Sequence, residues 1–168
     1  MISNELRSIL QKTCAALNKH KVEYILIGGT AVAFYGYQRP SGGLHGNLDM
    51  KYDVDFWYKP TATNYYNLLK ALKALDIDTS RLENLIFDPQ KTFLRIPHES
   101  FRTEFLPQVK GLSSFNKSKQ SSKVVNLDGN EISIISYRDL ILNKKSIDRE
   151  VDRSDIEQLE KRNKGLST

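Results

Sequence analysis

Tyr24-Ile25-Leu26-Ile27-Gly28-Gly29-Thr30-Ala31-Val32 and, further along, Tyr52-Asp53-Val54-Asp55-Phe56-Trp57-Tyr58 are the stretches whose reading decides the fold. Each is an apolar run at a length typical of strands. Residues two apart on a strand point to the same face, so Asp53 and Asp55 project side by side with only Val54 between them. Two carboxylates that close repel, and ionising both is costly unless a cation sits between them. Hard divalent cations such as Mg²⁺ take carboxylate oxygens and keep bound phosphates as further ligands. Gly28-Gly29, opening a helix, lets a phosphate approach the backbone and meet free N–H groups. Together the two stretches point to a site for a metal ion and a nucleoside triphosphate. The alternative for Asp53 and Asp55 is a pair of acids capping a turn at a strand entrance. Asp55 argues against it by interrupting a run that should be buried, where a lone carboxylate is expensive.

The composition sets the frame for that site. A length of 168 residues suits a single domain over 1–168, and 39% apolar with 27% charged residues is ordinary for a soluble globular chain. No apolar stretch approaches membrane-spanning length, and Met1-Ile2-Ser3-Asn4-Glu5 lacks signal-peptide form, so no membrane association and a cytoplasmic location are expected. The single cysteine, Cys14, excludes an internal disulfide, and with three histidines it argues against zinc. Cys14 sits on a helical apolar stripe, as a packing thiol does. The net charge of +5 is concentrated in two groups, Lys110, Lys117, Lys119 and Lys123, then Lys144, Lys145, Arg149 and Arg153. Such groups hold phosphates or nucleic acid, or simply face solvent, and the absence of an aromatic-interleaved RNA motif weighs against nucleic acid.

Outward from the two stretches, the chain alternates helical and extended signals. Asn4 to His20 has a helical rhythm, Val22 to Ile27 reads as a buried strand, and Ala31 to Tyr35 as a short helix. Gln38 to Lys51 is glycine-rich and holds Pro40, hence a loop. After the Tyr52–Tyr58 strand, Thr61 or Thr63 caps a long helix marked by Tyr66, Leu68, Leu69, Leu72 and Leu75. Thr92 to Ile96 pairs with Phe101 to Leu106, and Val124-Val125 with Glu131 to Ile135 across Asp128-Gly129-Asn130, as two hairpins. Ser136 caps a helix through Leu142, and a last helix spans Asp152 to Arg162. The order α-β-α-β-α-β-β-α-β-β-α-α predicts an α+β fold, a mixed sheet flanked by helices, with the last two helices (136–163) packed on it.

A phosphoryl-transfer site built on metal needs a further carboxylate from a neighbouring strand. Glu104, flanked by apolar residues in Phe101-Arg102-Thr103-Glu104-Phe105-Leu106-Pro107, is the candidate. Period-two alternation places Arg102 on its face, so the alternative is an outward-facing pair on a half-exposed strand.

The constellation resembles the nucleotidyltransferase superfamily that shares the DNA polymerase β palm, and more closely the minimal nucleotidyltransferase branch that includes AbiEii-type toxins. The resemblance is carried by Ile25 to Val32, Tyr35-Gly36-Tyr37-Gln38-Arg39-Pro40-Ser41, Tyr52 to Phe56, Arg102 to Pro107, and the tail from Asp139 to Leu159. It implies a polymerase β palm-like fold and a Mg²⁺-dependent (alternatively Mn²⁺-dependent) transfer of NMP from an NTP, with ATP among the candidates, to an acceptor hydroxyl. Asp53, Asp55 and Glu104 match the metal-binding, catalytic acids, and Gly28, Gly29 and Thr30 match the phosphate-contact turn. Arg39 and Lys144 match recurrent basic positions, which hold phosphates or make structural ion pairs. Asp152 and Asp155 match the tail pattern, where helix capping and salt bridging explain them equally. Two departures stand out: the Gly42–Lys51 insertion ahead of the D-x-D, and Glu104 where aspartate is commoner. The implied acceptor is a tRNA end, a protein hydroxyl or a small molecule of the aminoglycoside type, and a toxin–antitoxin or abortive-infection setting would bring an antitoxin partner. The non-enzymatic alternative is a degenerate nucleotidyltransferase fold that binds nucleotide or a partner without turnover.

Overall fold

The computed structural model describes residues 2–38 and 52–165. Arg39 and the Gly42–Lys51 insertion lie outside the described residues. A central strand, β1 (Tyr24–Ile27), is buried along its whole length, which is why its sequence is a continuous apolar run and not an alternating one. It pairs antiparallel with β2 (Tyr52–Tyr58) and parallel with β6 (Asn130–Ile134). Beyond β2 lie β4 (Phe101–Leu106) and β3 (Leu94–Pro97), and beyond β6 lies β5 (Lys123–Leu127), giving the order β3-β4-β2-β1-β6-β5. β2 and β4 run parallel, whereas both outer pairs are antiparallel hairpins. The sheet is therefore mixed and the fold is α+β, as expected.

Helices cover this sheet: α1 (Asn4–Lys19), α2 (Gly28–Phe34), α3 (Ala62–Ala74), α4 (Ser80–Glu83), α5 (Phe115–Ser121), α6 (Tyr137–Ile147) and α7 (Glu150–Gly165). Side-chain caps start several of them. Ser3 accepts from Leu6 N, Thr61 from Asn64 N, and Ser136 from Asp139 N, each worth about 1 kcal/mol. Thr61, and not Thr63, is thus the cap of α3. α1 buries Leu6, Leu10, Cys14 and Leu17 as one stripe, and burial pushes the Cys14 thiol up to about 12. Such a thiol stays protonated and packs as a small apolar group. α4, which buries none of its residues, has no counterpart in the sequence pattern, and α5 fills the helix position between the hairpins with only Phe115 and Ser118 buried. Elements this short carry too few apolar positions to show a stripe. No helix among the described residues is long and apolar enough to cross a membrane.

The β2–β4 pairing is held by aromatic contacts. Phe56 and Phe105 are direct partners and stack with centroids 5.1 Å apart, while Tyr24 meets Phe56 edge-on. Such pairs add about 1 kcal/mol beyond burial. Trp57 Nε1 donates to Pro107 O at 3.1 Å, tying down the chain just past β4. A slip of one residue would turn this aromatic set out of the core, so the core itself sets which residues face one another at the carboxylate end.

Candidate active site

The parallel register places Asp53 opposite Arg102 and Asp55 opposite Glu104, all on one face of β2 and β4. The same register on the other side sets Ile27 opposite Asp55. Gly28, the next residue, therefore lies directly over that carboxylate. Its φ is +68°, and a Cβ there would lie 3.0 Å from Asp55 Cγ and collide with Oδ2. Only glycine meets both conditions without strain. Two residues on, the buried Thr30 donates its hydroxyl to Asp53 O at 3.0 Å. The Gly-Gly-Thr turn thus touches β2 at both aspartates, and no side chain caps the first turn of α2.

Charge is tightly organised here. Arg102 Nη2 lies 2.9 Å from Asp53 Oδ1, and Arg102 Nε lies 3.3 Å from Glu104 Oε1. Arg95 Nε, from β3, donates to the same Glu104 oxygen at 2.8 Å. Asp55 carries the strain of the arrangement. Burial, then the carboxylates of Glu104 and Asp53, push it up to about 7, with Arg102 and Arg149 acting in the opposite direction. The donor chemistry fits a hard divalent cation at Asp53 and Asp55, because positive charge arriving there relieves what burial and repulsion impose on Asp55. Among the described residues, no three acidic, histidine or cysteine side chains already converge as a metal cage. Arg102 pairs with Asp53, and Arg95 and Arg102 pair with Glu104.

The opposite wall comes from α6 and α7. Lys144 is buried, and its ammonium lies 3.1 Å from Asp152 Oδ1 and 2.8 Å from Asp155 Oδ2, both acids fully buried. Burial opposes the ionisation of Asp152, but hydrogen bonds from Arg149 and Lys144 prevail and hold it below the usual carboxylate range. Asp152 also accepts from Arg149 N at 3.2 Å and Nε at 2.7 Å, so it caps the start of α7 while bracing Arg149. The Arg149 side chain is 64% exposed. Together these elements enclose a cleft of about 550 Å³, lined by Gly28, Gly29, Asp53, Asp55, Glu104 and Arg149 among others. That volume suits a nucleotide-sized ligand. The cleft brings together Gly28, Gly29, Asp53, Asp55, Glu104 and Lys144; Thr30 lies behind it, and Arg39 is outside the described residues. Arg95 and Arg102 were not singled out from sequence, although the alternation that put Arg102 on the face of Glu104 was a usable signal.

Comparison with known proteins gives a consistent result. The family described as "Nucleotidyl transferase of unknown function (DUF2204)" matches residues 6–167. No curated protein matches the chain. Among solved structures, the lincosamide antibiotic adenylyltransferase LnuA, with lincomycin bound, is 19% identical, with a TM-score of 0.56 over 95% of this chain and 97% of that one. TM1012 from Thermotoga maritima, a candidate nucleotidyltransferase, is 14% identical, with a TM-score of 0.53 over 99% and 96%. An antigenic nucleotidyltransferase-like protein from Paracoccidioides brasiliensis is 15% identical, with a TM-score of 0.53 over 95% and 76%. These likenesses establish the shared fold.

Proposed function

The chain belongs to this nucleotidyl transferase family, and we propose that it moves NMP from an NTP to an acceptor hydroxyl in a Mg²⁺-dependent reaction. The observation that carries the reading is the placement of Asp53 and Asp55 under Gly28, in register with Glu104, on the floor of a cleft walled by Arg149. Asp53 and Asp55 are the residues that would hold the cation, with Glu104 as the further carboxylate. When bound there, it would neutralise the triphosphate and polarise the α-phosphoryl group.

The chain's own residues supply the rest. Gly28 and Gly29 leave room for phosphate oxygens at the backbone, where a side chain would intrude on Asp55. Arg149, braced by Asp152, offers an exposed guanidinium to the β- and γ-phosphates. Lys144, its ammonium shared by Asp152 and Asp155, braces Asp152 from the cleft wall. Glu104 accepts a hydrogen bond from the attacking hydroxyl, aims it at the α-phosphorus and takes up its proton as the new bond forms. The acceptor oxygen then bonds to that phosphorus, the bond to the α,β-bridging oxygen breaks, and pyrophosphate leaves with the electron pair. Positioning and electrostatics supply most of the rate in such transfers.

A small-molecule acceptor has one observation in its favour, the fold likeness over 97% of the structure of the lincosamide antibiotic adenylyltransferase LnuA with lincomycin bound. The test is incubation of the purified protein with Mg²⁺ and each labelled NTP, alone, with total tRNA, with bacterial protein, and with aminoglycosides or lincosamides. The Asp53→Ala/Asp55→Ala double variant runs beside it. Transfer that disappears in the variant is expected, and the arm that takes label names the acceptor class. Transfer to tRNA or protein would favour the toxin–antitoxin or abortive-infection setting. No transfer in any arm, together with no joint stabilisation by Mg²⁺ and triphosphate, refutes the reading in favour of a degenerate, partner-binding fold.

A further inference from the structure

Arg102 stands opposite Asp53 on the carboxylate face of the sheet. A guanidinium that serves mainly to lock a structure presents its fork to one carboxylate through two parallel bonds. Arg102 does otherwise. It gives one nitrogen to Asp53 and a second, longer approach to Glu104. Its Nε is buried and has no hydrogen-bond partner. The cause is local, because the Glu104 oxygen in front of Nε already accepts from Arg95. Leaving a buried N–H unsatisfied is costly, so this contact is a poor stabilising device. It is well suited to being given up.

We propose that Arg102 is an internal counter-ion, resting on Asp53 and Glu104 until a divalent cation and the triphosphate arrive together, and then turning its guanidinium to the triphosphate. The proposal rests on the reading above that Asp53 and Asp55 take the cation. A cation on Asp53 Oδ1 takes the oxygen that Arg102 Nη2 holds, and its charge repels the guanidinium. Displaced by metal alone, the guanidinium has lost Asp53 and gained no new anion. Displaced by metal with a triphosphate, it finds phosphate oxygens in the cleft that it already lines. One side chain thereby makes the two ligands bind cooperatively, and the coupling is reciprocal. Arg102 is thus a positioning residue that favours entry of the metal as its nucleotide complex. Arg95 takes over Glu104 when Arg102 leaves, since it already holds the shared oxygen at 2.8 Å.

Mn²⁺ binding to the full-length chain, followed by EPR, tests this without turnover. It is measured alone and with α,β-methylene nucleoside triphosphates, which cannot be cleaved at the α,β bridge. The wild type is expected to bind Mn²⁺ weakly alone and more tightly with the analogues. Arg102→Gln is expected to bind Mn²⁺ alone roughly tenfold tighter, the scale of one charge-assisted hydrogen bond, and to lose most of the enhancement by nucleotide. Arg102→Lys, which keeps the charge without the fork, should fall between and carries the comparison if Arg102→Gln fails to fold. Unchanged or weaker Mn²⁺ binding in the variants, or full retention of the nucleotide enhancement, overturns the proposal. Mn²⁺ binding that survives Asp53→Asn/Asp55→Asn unchanged overturns instead the metal reading beneath it, whatever Arg102 does.

Discussion

Asp55→Asn should make the metal-free protein more stable while removing its transfer activity. Asp55 lies beneath Gly28, between the carboxylates of Asp53 and Glu104, and ionises near 7 where an ordinary aspartate ionises at 3.8. The sign follows from the order of those values. Below about pH 4 the carboxyl is protonated in both folded and unfolded chains and costs nothing. Between about 4 and 7 the unfolded chain has lost a proton that the folded chain keeps, so stability falls as pH rises. Above about 7 the folded protein carries the full penalty. The gap between 3.8 and about 7 amounts to about 4 kcal/mol at 1.4 kcal/mol per tenfold in proton concentration. Water entry and relaxation of the arginines reduce this to roughly 2–4 kcal/mol, or about 5–15 °C in Tm for a chain of this size. The assay is thermal unfolding of both proteins in EDTA from pH 4.5 to 8.5, reading the difference between them so that other titrating groups cancel. The difference should be small at the acid end, grow in favour of the variant, and level off above pH 7.5. With Mg²⁺ and a triphosphate analogue the order should reverse, since only the wild type gains the ligands. A difference that is flat with pH, or a variant less stable than wild type at pH 8, would refute the charge assignment.

Gly28→Ala should cost at least about 3 kcal/mol in urea denaturation, combining the positive-φ penalty with collision against Asp55. Gly129→Ala is the control, with φ +89° and open space around it, and should cost only about 1 kcal/mol; equal effects would remove the steric argument. Lys144→Ala withdraws the ammonium that the fully buried Asp152 and Asp155 share and should cost about 3–5 kcal/mol by denaturant unfolding. A variant as stable as wild type would show that the triad does not hold α6 against α7.

The strands, their hairpins and the helix caps were legible because each depends on neighbours in the chain. Asp53 and Asp55 sit two apart, so their shared face follows from strand geometry alone. Thr61, Ser136 and the Asp128-Gly129 turn announce themselves by residue type at fixed offsets. Glu104 was found by resemblance and by its place in an apolar run, and the parallel register sets it across from Asp55. For Lys144 the resemblance leaves phosphate binding and a structural ion pair equally open. Its partners, Asp152 and Asp155, meet it only because α7 folds back over α6 after the left-handed turn at Asp148.

By itself, then, the sequence determined the local grammar of this protein: which segments extend, which coil, where the carboxylate pair and the glycine pair fall, and hence the α+β class. Tertiary structure alone decided who pairs with whom. Arg95 from β3, Arg102 from β4 and Arg149 from the link between α6 and α7 bring positive charge to the carboxylates, and Gly28 reaches Asp55 across a strand pair. Ion pairs act through space, over distances that strand order, register and helix approach set. A guanidinium far along the chain is indistinguishable in sequence from one on the surface until the core has chosen that register.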